Sequence, residues 1–251
     1  MAALFVLAYD YWLLIAILAM AVLYSSVGHG GASGYLAAMA LWGLAPETMR
    51  PTALLMNIVV TCWLLYRFKP YQMMPYRLFW PLVLASAPMA FFGGMISIDA
   101  LAYRLLVGAL LLFAAIRMLL VTNGARYSQL PPLELILLVG ACLGFVSGLT
   151  GIGGGVYLSP IVLIFGWCGM RQSAAVAAGF ILLNSVAGLS GYLVSDQSWP
   201  MGTGWLLIAA FIGCLAGAEL ASHRASSLTL QKLLALVLAI ASIKMIYTAL
   251  V

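Results

Sequence analysis

The chain has 251 residues, of which 65% are hydrophobic and only 7% are charged, and its mean hydropathy is +1.14. A soluble domain carries roughly 25% charged residues, so this composition excludes a soluble fold and indicates a polytopic membrane protein. The net charge of +5 does not point to a nucleic-acid partner, because Lys and Arg in the loops of a membrane protein report its topology. The four cysteines have no metal-ligand spacing, and no metal or cofactor is expected.

Ten apolar segments follow one another along the chain, and each is predicted to be a helix. The first half contains 11–27, 35–44, 49–66, 78–97 and 103–121, and the second half contains 133–149, 156–166, 173–194, 204–221 and 230–249. The second and seventh segments, of about 10 residues, reach only about 15 Å at about 1.5 Å per residue. A bilayer core of about 30 Å requires about 20 residues, so these two segments cannot span it alone.

The two halves of the chain are similar to each other, which indicates an internal duplication. Asn57 and Asn184 lie 127 positions apart, and the fifth segment matches the tenth at several identical positions with the same offset. We therefore divide the chain into an N-terminal transmembrane repeat over 1–122, a connecting loop over 123–132 and a C-terminal transmembrane repeat over 133–251.

The distribution of basic residues favours inverted repeats. If the first two segments count as two passes, eight Lys and Arg residues fall on one side, and Arg50, Arg104 and Lys244 fall on the other. If the short segments add no pass, the split is six to five and shows no preference. The positive-inside rule favours the first count. The predicted fold is all-α, with two inverted repeats of about five segments each and both termini outside the cytoplasm.

Glycine clusters interrupt the chain before each short segment, at residues 28–31 (Gly-His-Gly-Gly) and 151–155 (Gly-Ile-Gly-Gly-Gly). Broken helices at matching positions of two repeats point to a transporter's binding site. We predict that each cluster is the tip of a helical hairpin that meets its counterpart near the midplane, with tilted full spans as the alternative. The free N–H groups of a helix start can bind an anion there. For other glycines, such as Gly93 and Gly213, helix packing is the preferred interpretation.

Polar residues inside apolar segments are further candidates, because they are costly in a membrane. The two paired asparagines can donate amide N–H groups to an oxyanion or bond between helices, and the sequence leaves both open. The histidine of the first cluster can exchange a proton near neutral pH or make a structural hydrogen bond. The predicted substrate-binding residues are Gly28, His29, Gly30, Gly31, Asn57, Thr150, Gly151, Gly153, Gly154, Gly155 and Asn184.

At these motifs the sequence resembles the sulfite exporter TauE/SafE family. The resemblance is carried by residues 28–31, 43–46 (Gly-Leu-Ala-Pro), 51–53 (Pro-Thr-Ala), 151–155 and Pro160, and it covers nearly the whole chain. It implies a secondary transporter in the inner membrane that moves sulfite, an organosulfonate or a related small anion, commonly by export. Alternating access by rocking of one half against the other, coupled to a proton or cation, would fit that activity.

The sequence departs from the family pattern in the first motif, which has His29 and lacks a third consecutive glycine, and at residues 170–172 (Met-Arg-Gln), where a Pro-Pro pair is common. These departures leave the substrate open, and a homodimer is left open as well. An anion channel is one alternative, because half-helix ends can also set the selectivity of a pore. An intramembrane serine protease using Ser190 and His223 is the other, but the predicted topology places these residues about 30 Å apart. No enzyme activity is expected.

Overall fold

The computed structural model describes residues 2–26, 30–69, 73–120, 130–195, 197, 199–200, 202–222 and 227–250. Among these residues the regular secondary structure consists of ten α-helices, and no strand occurs. The helices are α1 Ala2–Ser26, α2 Ala32–Leu41, α3 Pro46–Phe68, α4 Tyr76–Met95, α5 Ala100–Leu120, α6 Leu133–Thr150, α7 Gly155–Ile164, α8 Met170–Val194, α9 Thr203–Ser222 and α10 Ser227–Leu250. All ten predicted segments are confirmed, and α1 begins earlier than the sequence pattern indicated.

Six helices in the described part of the chain are long and apolar enough to cross a membrane. They cover Pro46–Phe68, Tyr76–Met95, Ala100–Arg117, Leu133–Thr150, Arg171–Val194 and Thr203–Leu220. The helices α2 and α7 have 10 residues each, so the predicted short length of these two segments is confirmed. The chain is a multi-pass, all-α membrane protein.

The packing of the helices shows a two-fold pattern between the two halves. In the predicted duplication, α1 to α5 correspond in chain order to α6 to α10. Helix α4 packs along α6 as α9 packs along α1, while α3 packs on α8 and α5 on α10. Helices α4 and α6 run in the same direction, because Gly140 lies against Leu82 and Gly148 against Ala90. Helices α3 and α8 run in opposite directions, because Asn57 lies against Ser185 and Glu47, earlier in α3, lies against Tyr192, later in α8.

Glycines allow the close approach of α6 to α4. A methyl group added to Gly140, Gly144 or Gly148 would lie 2.6, 2.1 or 1.9 Å from the nearest backbone carbonyl oxygen of α4. The same is true of Gly93 and Gly213, whose added methyl groups would each lie 2.4 Å from a carbonyl oxygen of the neighbouring helix. Small residues permit such contact between membrane helices, so the packing interpretation of these glycines is confirmed.

We expect Gly148→Ala to destabilise the protein by about 1–3 kcal/mol, the usual range for overpacking. The added methyl group would lie 1.9 Å from the carbonyl oxygen of Ala90, a backbone atom that cannot move without shifting α4. Thermal unfolding in detergent measures the effect. The matched control is Gly204→Ala, since nothing lies within 4 Å of the added group. Equal unfolding temperatures for the two variants would contradict the packing argument.

Helices α6 and α7 form a hairpin. The start of α6 at Ile136 and the turn after α7 at Trp167 belong to one buried cluster with Leu78 and Phe79 at the start of α4. The chain thus enters through α6 and returns through α7 to the same end of the bundle. The residues of the second glycine cluster lie at the closed end of this hairpin.

The buried core does not follow the two sequence halves. One cluster of buried residues comes from α4, α6, α7 and α8 together with the turn after α7. The other is built mainly by α1, α2, α3, α5, α9 and α10. Helix α4 is therefore packed with the second half, and α9 is packed with the first. The two halves interlock, which opposes the predicted rocking of one complete half against the other.

Candidate functional site

The two short helices begin in the same unusual way. The residue before α2 is Gly31 at φ 86°, and the residue before α7 is Gly154 at φ 75°; neither start has a side-chain cap. A left-handed glycine also follows each helix, Gly43 at φ 76° and Gly166 at φ 64°. Both starts are buried, and the first N–H groups of a helix have no partner within it. The starts of both short helices therefore have buried backbone N–H groups that find no acceptor in the described part of the chain.

The two glycine clusters meet at one place on α3 and α8. A methyl group added to Gly30 would lie 3.4 Å from Asn57 Oδ1 and 3.2 Å from Ile181 Cγ2. One added to Gly153 would lie 2.6 Å from Asn57 Nδ2 and 3.0 Å from Ile181 Cγ2. Asn57 is the middle residue of the 23-residue helix α3, about 17 Å from each end at about 1.5 Å per residue. The meeting point is thus at mid-depth.

The paired asparagines are both fully buried, with 0% exposure. Asn57 Nδ2 donates to Ser185 Oγ over 3.2 Å, and Asn57 Oδ1 has no partner within the described residues. Both amide atoms of Asn184 are without a partner there as well. Asn184 follows Ile181 by three residues and so shares its face of α8. An unsatisfied buried polar group costs about 1–3 kcal/mol, so the amide of Asn184 destabilises the fold as long as it has no partner.

Tyrosine hydroxyls near the glycine clusters were not among the sequence candidates. Tyr35 is fully buried, its hydroxyl has no partner in the described chain, and that oxygen lies 2.7 Å from a methyl group added to Gly31. Tyr157 occupies the first turn of α7 and also has an unpartnered, buried hydroxyl. A tyrosine in the first turn of each short helix was the sequence signal for these additional donors.

Two of the predicted residues, Thr150 and Gly151, lie at the end of α6. The Thr150 hydroxyl donates to the carbonyl of Val146 over 2.7 Å, as serine and threonine often do within helices. Gly151 is the C-cap of α6 at φ 84°, and a methyl group there would lie 2.9 Å from the carbonyl oxygen of Arg50. The first-cluster candidates Gly28 and His29 lie outside the described residues, so their predicted roles remain predictions.

The residues of the protease alternative are not brought together by any described contact. The Ser190 hydroxyl donates to the carbonyl of Val186, one turn earlier in the same helix, over 2.8 Å. His223 lies outside the described residues.

Lys244, counted in the sequence only as a marker of topology, donates to the carbonyl of Leu41 at the end of α2. The basic side chain at this position caps a helix, because its amine reaches a carbonyl that has no intrahelical donor.

The sequence interpretation overlooked Arg50 as a buried residue. It lies in the second turn of α3 with 4% of its surface exposed, although its place inside the apolar segment 49–66 was a signal for burial. The next residue, Pro51, has no N–H to donate to the carbonyl of Glu47. That carbonyl accepts a hydrogen bond from the Tyr192 hydroxyl instead, over 3.2 Å.

Comparison with known proteins identifies the family of the chain. The family model described as Sulfite exporter TauE/SafE matches residues 13–245. The chain belongs to the sulfite exporter TauE/SafE family. This TauE/SafE protein is 36% identical over 242 residues to the probable membrane transporter protein y4hK of Sinorhizobium fredii, covering 94% of this chain and 97% of that one.

A shorter match links the TauE/SafE chain to the probable membrane transporter protein MJ0441 of Methanocaldococcus jannaschii. The two are 39% identical over 64 residues, which are 26% of this chain and 24% of the relative. No solved structure matches the chain. The family and the relatives are those of membrane transporters, which is not an enzyme class, and the chain is a membrane transporter of the TauE/SafE family.

Proposed function

We propose that this TauE/SafE transporter binds a small oxyanion where its two glycine clusters meet and exports it across the inner membrane. Sulfite, an organosulfonate or a related sulfur-containing anion is the proposed substrate. The observation that carries the proposal is the fully buried amide of Asn184, which has no partner in the described chain and follows by one helical turn Ile181, the residue that both Gly30 and Gly153 approach. Free N–H donors at helix starts bind anions.

The chemistry of this site suits a substrate that must also be released. The side chains nearest to Gly30 and Gly153 are those of Asn57, Ile181 and their neighbours, and all are uncharged. Each helix start contributes roughly half a positive charge through its dipole. An oxyanion is therefore held by neutral N–H and O–H donors and not by a full cation, which favours selective but reversible binding.

The helix directions support the proposed inverted repeats. Asn57 of α3 bonds to Ser185 of α8, and the Tyr192 hydroxyl bonds to the carbonyl of Glu47, so these corresponding helices run antiparallel. A two-fold axis along the membrane normal would leave corresponding helices parallel, whereas an axis in the membrane plane inverts them. With the predicted excess of basic residues on the cytoplasmic side, both termini lie outside the cytoplasm.

The moving units that we propose for alternating access are not the complete halves. Because α4 shares one buried cluster with α6, α7 and α8, those four helices form one unit. By the two-fold pattern, α9 with α1, α2 and α3 forms the other. Motion of these units relative to each other would open the central site to one side and then the other. A proton or cation is the proposed coupling partner, and His29 is the proposed proton carrier.

Asn184→Leu tests the proposed site. We expect the variant to unfold at a higher temperature than wild type without anion, because removing an unsatisfied buried amide relieves about 1–3 kcal/mol. We also expect it to lose most of the stabilisation that sodium sulfite gives the wild type. Thermal unfolding of the purified protein, with sulfite, sulfate, thiosulfate or methanesulfonate at constant ionic strength, measures both effects.

For the stability effect the comparison is Asn57→Leu, which removes an amide that bonds to Ser185 and is therefore expected to lower the unfolding temperature. Full anion stabilisation in Asn184→Leu would contradict the site. No response of the wild type to any of these anions would contradict the substrate class. Saturable, slow flux in proteoliposomes is expected for a carrier, and flux too fast for alternating access would instead favour the channel.

A further inference from the structure

A cavity at one end of the bundle lies apart from the central site. Its volume is about 240 Å³, enough for about eight water molecules at about 30 Å³ each. The polar residues that line it are Glu47, Arg50, Ser97, Tyr103, Tyr192 and Gln197. We propose that this cavity is a second binding site for a small oxyanion. The anion occupies it on the way between solvent and the central site.

The main feature of the cavity is the buried guanidinium of Arg50. Four of its five N–H groups donate to backbone carbonyls: Nε to Gly148 over 2.9 Å, Nη1 to Ile96 over 2.7 Å, and Nη2 to both Gly93 and Gly94. No carboxylate of the described residues lies within 4.0 Å of it. The negative partial charges at the C-terminal ends of α4 and α6 surround this cation. It has no counter-ion among the described residues.

Donors for an oxyanion remain available around this cation. The second N–H of Arg50 Nη1 has no acceptor among the described residues. The Ser97 hydroxyl also lines the cavity, as does the Gln197 amide, which donates one N–H to Ser195 Oγ over 2.6 Å and keeps a second N–H. The Tyr192 ring, whose centroid is 5.7 Å from Arg50 Cζ, covers one side of the guanidinium. Charge-assisted hydrogen bonds from Arg to an oxyanion are among the strongest in proteins, so a small anion fits this wall.

The cavity adjoins the second glycine cluster. The Tyr103 hydroxyl donates to the carbonyl of Thr150 over 2.9 Å, and Gly151 lies against the backbone of Arg50. Arg50 precedes Asn57 by seven residues on α3, a separation of about 10 Å along the helix axis. The cavity lies at the end of the bundle where α3 begins. An anion bound there is thus about 10 Å from the central site along α3.

The carboxylate of Glu47 sets the affinity of the proposed site. It lines the same cavity, is exposed, and makes no hydrogen bond or ion pair with the described residues. A negative charge at this position repels an incoming anion. Neutralising it is expected to strengthen anion binding, an effect that misfolding does not produce.

The test is a titration of purified protein with sodium sulfite at constant ionic strength, followed by thermal unfolding. The Asn184→Leu background removes the central site, on which the choice of sulfite rests. We expect saturable stabilisation to persist in this background, and Glu47→Gln to lower its apparent Kd by about three- to tenfold because one screened charge is removed. The control Glu134→Gln changes an exposed carboxylate in the first turn of α6, outside the cavity, and should leave the Kd unchanged.

The outcomes separate the two sites. Stabilisation that persists in Asn184→Leu but does not respond to Glu47→Gln overturns the cavity site. Complete loss of stabilisation in Asn184→Leu overturns the cavity site and leaves the central site intact. If Asn184→Leu keeps the full stabilisation of the wild type, and if Glu47→Gln strengthens sulfite binding in both backgrounds, the cavity site is supported and the central site is overturned. No stabilisation of any protein by sulfite overturns both.

Discussion

Replacing Gly153 with alanine is expected to abolish transport while the protein remains folded in the membrane. The added methyl group would lie 2.6 Å from Asn57 Nδ2 and 3.0 Å from Ile181 Cγ2, at a φ of +80°. It would therefore push the second glycine cluster away from the asparagine that both clusters share. A displacement of about 1 Å in a binding geometry can reduce a rate about a hundredfold. Sulfite flux into proteoliposomes, normalised to folded protein, measures the effect.

Gly43→Ala separates the site effect from backbone strain. Gly43 has nearly the same left-handed conformation, with φ +76°, and nothing lies within 4 Å of an added methyl group. Both variants therefore carry the cost of a non-glycine residue in this conformation, about 1–2 kcal/mol, but only one of them disturbs the proposed site. If both variants transport sulfite equally well, the glycine clusters do not form the substrate site.

The sequence was sufficient to predict the helices and the positions at which glycine clusters interrupt them. Long apolar runs and glycine clusters are local signals, and they predicted the ten helices and the two short ones, α2 and α7. The prediction that the two clusters approach each other followed from their symmetry, and the contacts of Gly30 and Gly153 with Asn57 agree with it. Helix propensity and the repeat of a motif can both be read from the sequence, because neither requires knowledge of which helices are in contact.

The tertiary packing of the helices could not be predicted from the sequence. The interlocking of the halves depends on α4 fitting along α6, through contacts such as Gly144 with Ser86, and a single sequence does not show which helices are neighbours. The sequence also did not show that the hydroxyl of Thr150 donates to the carbonyl of Val146. Arg50 was counted only as a topology marker, because its carbonyl partners lie far along the chain, between residues 93 and 148.

Arg50→Met is expected to have the largest effect on stability. Methionine fills a similar apolar volume but leaves four carbonyls without their donors, those of Gly93, Gly94 and Ile96 at the end of α4 and that of Gly148 in α6. A hydrogen bond from a charged group contributes about 1.5–3 kcal/mol, and these four share one side chain, so we expect a loss of at least about 3 kcal/mol. Thermal unfolding and the yield of monodisperse protein in detergent measure it.

A second arginine near the same end of the bundle provides the comparison. Arg104 donates to one carbonyl, that of Thr248, over 3.1 Å in an exposed position, so Arg104→Met should cost no more than about 1 kcal/mol. Arg50→Lys should fall between the two variants, because an ammonium is a compact charge that cannot reproduce the planar fork of a guanidinium. The fork allows Arg50 to reach the ends of α4 and α6 at once. Equal unfolding temperatures for Arg50→Met and Arg104→Met would show that Arg50 does not hold these helix ends together.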